Sequence, residues 1–130
     1  APIWVSEGMA SLYEQCRVEG DVMRGETNWR LPELQAAIGK KVATPLTSLL
    51  ALNATDFRGK SESLHYAESR YFCKFLEERG VLATIYRNFR DRFAKDPTGR
   101  LFVEQAFGQP LARVEQEWHD WLQTQRWETR

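Results

Sequence analysis

The sequence is poor in the side chains from which catalytic and metal-binding sites are usually built. It has two histidines, His65 and His119, and two cysteines, Cys16 and Cys73, among 130 residues. It contains no HExxH, CxxC, GxSxG or glycine-rich phosphate-binding motif. These 130 residues therefore hold no complete residue set for a zinc peptidase, a CxxC redox protein, a serine hydrolase or a P-loop nucleotide-binding protein.

The sequence also lacks an excess of charge and a long apolar run. Eighteen Lys and Arg residues balance eighteen Asp and Glu residues. A net charge of zero gives no broad field to attract nucleic acid or an anionic membrane surface. No apolar stretch approaches the roughly 20 residues of a membrane-spanning helix. We therefore expect no nucleic-acid partner and no membrane segment in this chain.

The two cysteines leave two possibilities open. Cys16 falls on the apolar stripe of the first predicted helix and Cys73 on a later helix. Two buried free thiols that pack as small apolar side chains are the commoner arrangement. A disulfide between them is the alternative, and it would indicate an oxidising compartment.

Apolar periodicity and the placement of proline and glycine predict an all-α, single-domain helical bundle. The predicted helices cover residues 3–16, 31–39, 45–52, 62–79, 81–95, 100–107 and 110–126. Residues 17–30 contain two glycines and mixed polarity, so they form either a loop or a small hairpin. The stretch "ATDFRGKSES" is predicted to be a polar loop.

The first predicted helix is amphipathic. At helical spacing, its apolar stripe consists of Val5, Met9, Leu12 and Cys16. The opposite side carries Ser6, Glu7, Ala10, Ser11 and Glu14, which are small or acidic. We therefore expect the carboxylate of Glu7 to point away from the core.

The helix around Tyr66 is apolar on most of its sides. Leu64, Ala67, Tyr71 and Phe75 share one side, whereas Tyr66 and Cys73 lie almost opposite them. A helix with this pattern is predicted to be the central one. Tyr66 then meets a second contact surface, where its hydroxyl needs a hydrogen-bonding partner.

The stretch "WVSEGMASLYE" resembles the helix that carries the third zinc ligand in gluzincin metallopeptidases, of the peptidase-MA-like group. In these enzymes an upstream HExxH helix gives two histidine ligands and a catalytic glutamate, and the Glu of a W-L-x-E-G-x-A pattern gives the third ligand. The resemblance assigns that position to Glu7. It also implies that the bundle corresponds to the C-terminal subdomain of a zincin.

Two later stretches extend the resemblance. "LHYAESRYFCKFLEERG" resembles the family's helix whose tyrosine hydrogen-bonds the oxyanion of the tetrahedral intermediate, and this assigns Tyr66 as a catalytic residue. "VEQAFGQPLARVEQEWHDWL" resembles the C-terminal helices of the group. The three stretches run from residue 2 to about residue 122 in the expected order.

The resemblance implies that these residues are the C-terminal half of a catalytic domain cut from a longer chain. Zinc, a peptide or protein substrate and an upstream HExxH-bearing segment would belong to the full-length protein. This chain alone is expected to bind zinc weakly or not at all, since one carboxylate is not a tetrahedral site, and to be inactive. Apolar surface left uncovered is expected to allow pairing with another copy.

Three further residues are candidates for the surroundings of the site: Glu14 and Ser11 on the first helix, and His65 beside Tyr66. Glu14 would orient a zinc-binding histidine, although a solvated acid is the alternative. Ser11, with Ala10, would let the HExxH helix pack closely, or would belong to an exposed helix face. His65 is either a site residue or, as is commoner, a surface residue or a polar residue whose hydrogen bonds are satisfied.

Two functions of different classes therefore stand beside each other. The first is the C-terminal portion of a zinc metallopeptidase, and the second is a non-catalytic helical binding or scaffolding module with a degenerate zincin fold. The first predicts that Glu7 and Tyr66 open onto one cleft, bordered by Trp4, Ala10, Ser11 and Cys73. An HExxH motif shortly before Ala1 in the full-length protein would separate the two. A helical domain unrelated to the metallopeptidases would instead place Glu7 in solvent and Tyr66 in the core, facing different directions.

Overall fold

The computed structural model describes residues 1–127. These residues are mostly helical and include one small β-hairpin. The elements are α1 Ile3–Glu14, β1 Cys16–Glu19, β2 Val22–Gly25, α2 Leu31–Gly39, α3 Leu46–Ala51, α4 Ala54–Phe57, α5 Glu62–Glu78, α6 Leu82–Arg92, a 3₁₀ turn Phe93–Lys95, α7 Arg100–Phe107 and α8 Leu111–Thr124. The prediction of a helical domain is confirmed, and the segment left open between loop and hairpin contains a hairpin. None of the helices in residues 1–127 is long and apolar enough to span a membrane.

Two local predictions were wrong. The first helix ends at Glu14 rather than at residue 16, because Cys16 begins β1 and pairs with Gly25. The predicted polar loop contains the short helix α4, which begins where the side chain of Asn53 accepts a hydrogen bond of 2.8 Å from the backbone N–H of Asp56. Asparagine is a strong N-cap residue, so this start could have been read from the sequence.

Helix α5 is the centre of the bundle, as its all-round apolar pattern predicted. Eleven of its 17 residues are buried, and α1 packs along it. The two helices approach closely at Gly8, where an added Cβ would lie 2.6 Å from the carbonyl oxygen of Ser69 and 2.7 Å from the Sγ of Cys73. Only glycine fits this crossing without a shift of one helix.

The core is rich in aromatic side chains. Trp4, on α1, lies with its ring centroid 5.4 Å from that of Phe72 and 6.1 Å from that of Phe89. Trp118 of α8 also contacts Phe72, edge to face, with the ring centroids 5.0 Å apart. The indole N–H of Trp4 donates to the carbonyl of Thr98 at 2.9 Å. One apolar cluster therefore joins the first helix to the last one.

The hairpin is held by charged side chains of α5. Arg70, Lys74 and Glu77 follow one another at spacings of four and three residues, so they share one face of that helix. Lys74 donates to the carbonyl of Gly25 at 2.9 Å, and Glu77 accepts from the N–H of Gly25 at 3.2 Å. Arg70 donates to the carbonyl of Glu26. Because these bonds fix the backbone of β2, the hairpin has a defined place although three of its apolar side chains are exposed.

Candidate functional site

Glu7 lies at the edge of the exposed side of α1. Its side chain is 24% exposed, and its Oε1 accepts a hydrogen bond of 3.0 Å from the guanidinium of Arg58, the residue that follows α4. Arg58 is itself 47% exposed. The pair is therefore open to solvent on both sides, where an ion pair contributes little to stability.

Tyr66 lies near the beginning of α5, beside the same ion pair. Its ring is half-buried, 5.0 Å from that of Phe57 in an edge-to-face contact, with the Arg30 guanidinium 5.2 Å from its centroid. Burial raises the pKa of the Tyr66 hydroxyl, and the negative charge of Glu7 raises it further. Arg58 acts in the opposite direction. The phenol therefore keeps its proton at neutral pH.

The structure thus brings together Glu7 and Tyr66, which are 59 positions apart in the sequence. A shared site requires these two side chains to lie on the same side of the two packed helices. Side chains on opposite sides of the bundle would have excluded a shared site. The roles assigned to them by resemblance stay predictions.

The expected border of the site was wrong at three positions. Trp4 and Cys73 are 0% exposed and Ser11 is 2% exposed. The physical reason is the close crossing at Gly8, because α1 and α5 approach so closely there that most of the surface of α1 is covered. Within α1, only Ser6, Ala10 and Glu14 are exposed. Ser11 therefore contacts α5 instead of an open face.

The other predicted residues are placed differently. Glu14 is exposed at the end of α1. His65 is buried, and its Nδ1 lies 2.9 Å from the carbonyl oxygen of Phe57, which matches a locally satisfied polar residue. Cys73 and the half-buried Cys16 are free thiols, and burial raises the pKa of Cys73.

Sequence reasoning missed the three buried charged residues of α5, Glu68, Arg70 and Lys74. Arg70 and Glu68 are 0% exposed. Arg70 donates to the carbonyls of Ser11 and Glu26, and a longer bond of 3.4 Å reaches the carbonyl of Gln15. It thereby places a cation at the C-terminal end of α1, where carbonyl groups lack partners within the helix. The signal was present, since charged residues fall within the predicted central helix, and any of them that is buried needs hydrogen-bonding partners.

Glu68 is only partly satisfied. Its Oε2 accepts a hydrogen bond of 2.6 Å from the N–H of Thr44, whereas its Oε1 is buried and has no partner among the described residues. Burial raises the pKa of Glu68 to about 7, and the charge of Glu33 acts in the same direction. A neutral carboxyl at this place avoids the cost of a buried charge without a cation.

The described residues do not form a metal site on their own. Residues 1–127 contain no group of three His, Cys, Asp or Glu side chains placed to hold a metal ion. Glu7 fits one ligand position, because it is a carboxylate on the outer side of its helix. Any further ligand would have to come from residues beyond these.

Two cavities of the described residues, of about 520 Å³ and about 260 Å³, are lined by neither Glu7 nor Tyr66. Comparison with protein-family models, with curated proteins and with solved structures gave no match to this chain.

Proposed function

We propose that this chain is the C-terminal portion of a zinc-dependent metallopeptidase domain. Glu7 is the third zinc ligand, Tyr66 stabilises the oxyanion, and the substrate is a peptide or protein. The two histidine ligands and the general base come from an HExxH segment upstream in the same protein. The observation that carries the proposal is the meeting of Glu7 and Tyr66 across the α1–α5 packing.

The electrostatics of Tyr66 suit an oxyanion donor. Such a donor must hold its proton at the working pH and aim it at the oxygen on which negative charge develops. A tyrosine hydroxyl is protonated at neutral pH at its ordinary pKa, and burial and the charge of Glu7 raise the pKa of Tyr66 further. A zinc ion bound at Glu7 would supply a polarised water of lowered pKa.

The ion pair with Arg58 is compatible with a ligand role for Glu7. Because Arg58 is 47% exposed, separating the pair costs only about 0–1 kcal/mol. Arg58 has the length and freedom to turn into solvent, whereas Glu7 is fixed by its place on α1. In this chain alone, Arg58 neutralises Glu7.

A non-catalytic binding or scaffolding module is the second candidate. It is favoured by the same ion pair, since Glu7 already has a partner, and by the position of the two cavities away from Glu7 and Tyr66. In this case Glu7 and Arg58 would only join α1 to the end of α4.

The full-length protein separates the two candidates. We expect its zinc content, measured by mass spectrometry, to fall at least tenfold in Glu7→Gln. Tyr66→Phe should keep zinc and lower kcat about 10²–10³-fold, which is the usual effect of losing one oxyanion donor. Asp120→Asn, an exposed carboxylate on α8, is the matched control and should change neither quantity.

The outcome against the proposal is equally defined. A full-length protein with no HExxH before residue 1 of this chain would contradict the metallopeptidase proposal, and so would an unchanged zinc content in Glu7→Gln. Either result would leave the non-catalytic binding or scaffolding module as the remaining candidate. The 130-residue chain provides a second measurement, since calorimetric titration with zinc should show weak binding or none. A tight stoichiometric site in this chain would contradict the assignment of the ligands.

A further inference from the structure

A groove of about 520 Å³ lies between α1, β2 and α6, away from Glu7. Its walls are mainly apolar and include Met9 and Tyr13 from α1, Met23 from β2, and Leu82 and Tyr86 from α6. Met23 is 52% exposed and Tyr86 is 45% exposed. Exposed apolar side chains gathered in one groove, rather than scattered over the surface, mark an interaction site.

The rim of the groove is basic. Arg24, Arg87 and Arg90 line it together with a single carboxylate, that of Glu77. This carboxylate is already engaged, because it accepts hydrogen bonds from the hydroxyl of Tyr13 at 2.7 Å and from the backbone of Gly25. The existing partners of the arginines are weak ones, such as the exposed Asp91 beside Arg90. The groove therefore complements a ligand that carries negative charge.

The edge of β2 that faces away from β1 offers backbone groups to the same ligand. The register pairs Arg17 with Arg24, and the N–H of Glu26 donates to the carbonyl of Gln15. In an antiparallel pair, hydrogen-bonded positions alternate. The N–H and carbonyl of Met23 therefore point outward, without a hydrogen bond to the described residues. The equivalent groups of Gly25 are taken by α5.

We propose that this groove binds an extended peptide segment of alternating apolar and acidic residues, which adds as a strand to β2. Strand addition uses the outward backbone groups for affinity and the groove for side-chain selectivity. Apolar side chains of the segment contact Met9, Leu82 and Tyr86, and acidic ones meet the arginines. Met9 and Tyr13 lie on the side of α1 away from Glu7, so this binding does not depend on the proposed function.

The probe is a fluorescein-labelled hexapeptide of alternating Val and Glu, with blocked ends, titrated into the 130-residue chain and followed by fluorescence anisotropy. We expect saturable binding that weakens with added salt. The same peptide with Lys in place of Glu should bind roughly tenfold more weakly or not at all. A version methylated on its backbone nitrogens should also bind roughly tenfold more weakly, since it cannot add as a strand.

Variants of the chain locate the binding. Arg87→Ser with Arg90→Ser removes the two charges of α6 that line the groove and should weaken binding roughly tenfold. The control is Arg92→Ser with Arg113→Ser, which removes two exposed arginines outside the groove. Met23→Pro removes the outward N–H, which β1 does not use, together with the Met23 side chain of the groove wall, and should weaken binding too. The arginine pair keeps the test valid if the proline variant does not fold.

Four results would overturn the proposal. They are absence of saturable binding, equal binding of the lysine peptide, equal binding of the methylated peptide, and binding unchanged in the arginine double variant. Sedimentation velocity of the chain without peptide tests whether a second copy of the chain occupies the groove. A dimer that dissociates in the arginine double variant would assign the groove to a second copy and overturn the proposal as well.

Discussion

Two groups of charged side chains lie at helix α5, and they differ in burial and in hydrogen bonding. On one side Arg70 and Lys74 are buried and Glu77 is half-buried, and each makes hydrogen bonds to the backbone of α1 or the hairpin. On the other side Glu7 and Arg58 form a single, half-exposed ion pair beside Tyr66. Both groups join α1 to another element, but only the first is enclosed.

The difference separates structure from function. Buried charges that satisfy backbone groups cannot move without leaving those groups unpaired, so they hold the fold. An exposed pair exchanges partners at little cost, so it is available to a metal ion or a substrate. Substitutions on the buried side should therefore lower stability more than substitutions on the exposed side.

Arg70→Met should give the largest loss of stability. It leaves the carbonyls of Ser11, Gln15 and Glu26 without their buried donor, and we expect the free energy of unfolding to fall by about 4 kcal/mol. Urea unfolding measures it, with the exposed Arg92→Met as the control, expected within about 0.5 kcal/mol of the original chain. A loss for Arg70→Met as small as that of the control would mean that these buried hydrogen bonds do not hold the fold.

Glu68 should make stability depend on pH. Its pKa is about 7 in the folded chain and about 4.5 when unfolded, so the folded state binds the proton more tightly. Its contribution is full below pH 4.5 and is lost as the pH rises through about 7, by roughly 3 kcal/mol in all.

Glu68→Gln tests this assignment. The amide oxygen still accepts the hydrogen bond from Thr44, but the side chain no longer titrates. Urea unfolding between pH 4 and pH 8 should therefore show that the free energy of unfolding of the variant, relative to that of the original chain, increases as the pH rises. A difference between the two that stays constant over this range would place the titration elsewhere. Asp120→Asn serves as a carboxylate control.

Gly8→Ala should destabilise the packing of α1 against α5, at the point where the two helices cross. The new Cβ would lie 2.6 Å from the carbonyl oxygen of Ser69, so α1 must shift, at a cost of about 1–3 kcal/mol. Gly39→Ala is a matched control, because nothing lies within 4 Å of its Cβ. Thermal unfolding should show a lower Tm for the first variant and an equal or higher Tm for the second. Equal Tm values would mean that α1 and α5 are less tightly packed than described.

Glu7→Gln should have the smallest effect on stability, below about 1 kcal/mol. It should nevertheless lower the pKa of Tyr66, because the charge of Glu7 raises it, whereas Arg58→Met should raise that pKa. Ultraviolet titration of the tyrosines measures both shifts, with Tyr66→Phe assigning the signal. A Tyr66 pKa unmoved by either substitution would mean that the three side chains do not share a site.

Local patterns in the sequence predicted most of the helices. Pro45 and Gly80 mark helix ends, and the apolar stripes of α6 and α8 face the core. The need of Tyr66 for a polar partner could also be predicted. What supplies that partner could not, because it depends on how α1 crosses α5. The same crossing buries Ser11, which the pattern of α1 alone had placed on the open side.

Buried polar residues were harder to predict than apolar ones. Periodicity identifies an apolar face, but it cannot say which backbone groups from distant segments need a donor. Arg70 contacts residues 44 to 59 positions away in the sequence, and Glu68 contacts one 24 positions away. Their partners follow only from the assembled fold.

The contact between Trp4 and Thr98 has a consequence for the synthesis of the protein. The indole N–H of Trp4 bonds to a carbonyl 94 positions later, and its ring packs against Phe89. At about 5–20 residues per second, a ribosome needs roughly 5–20 seconds to translate that interval. During this time the first helix has no completed core, so a chaperone that binds exposed aromatic side chains would meet Trp4 before its own partners do.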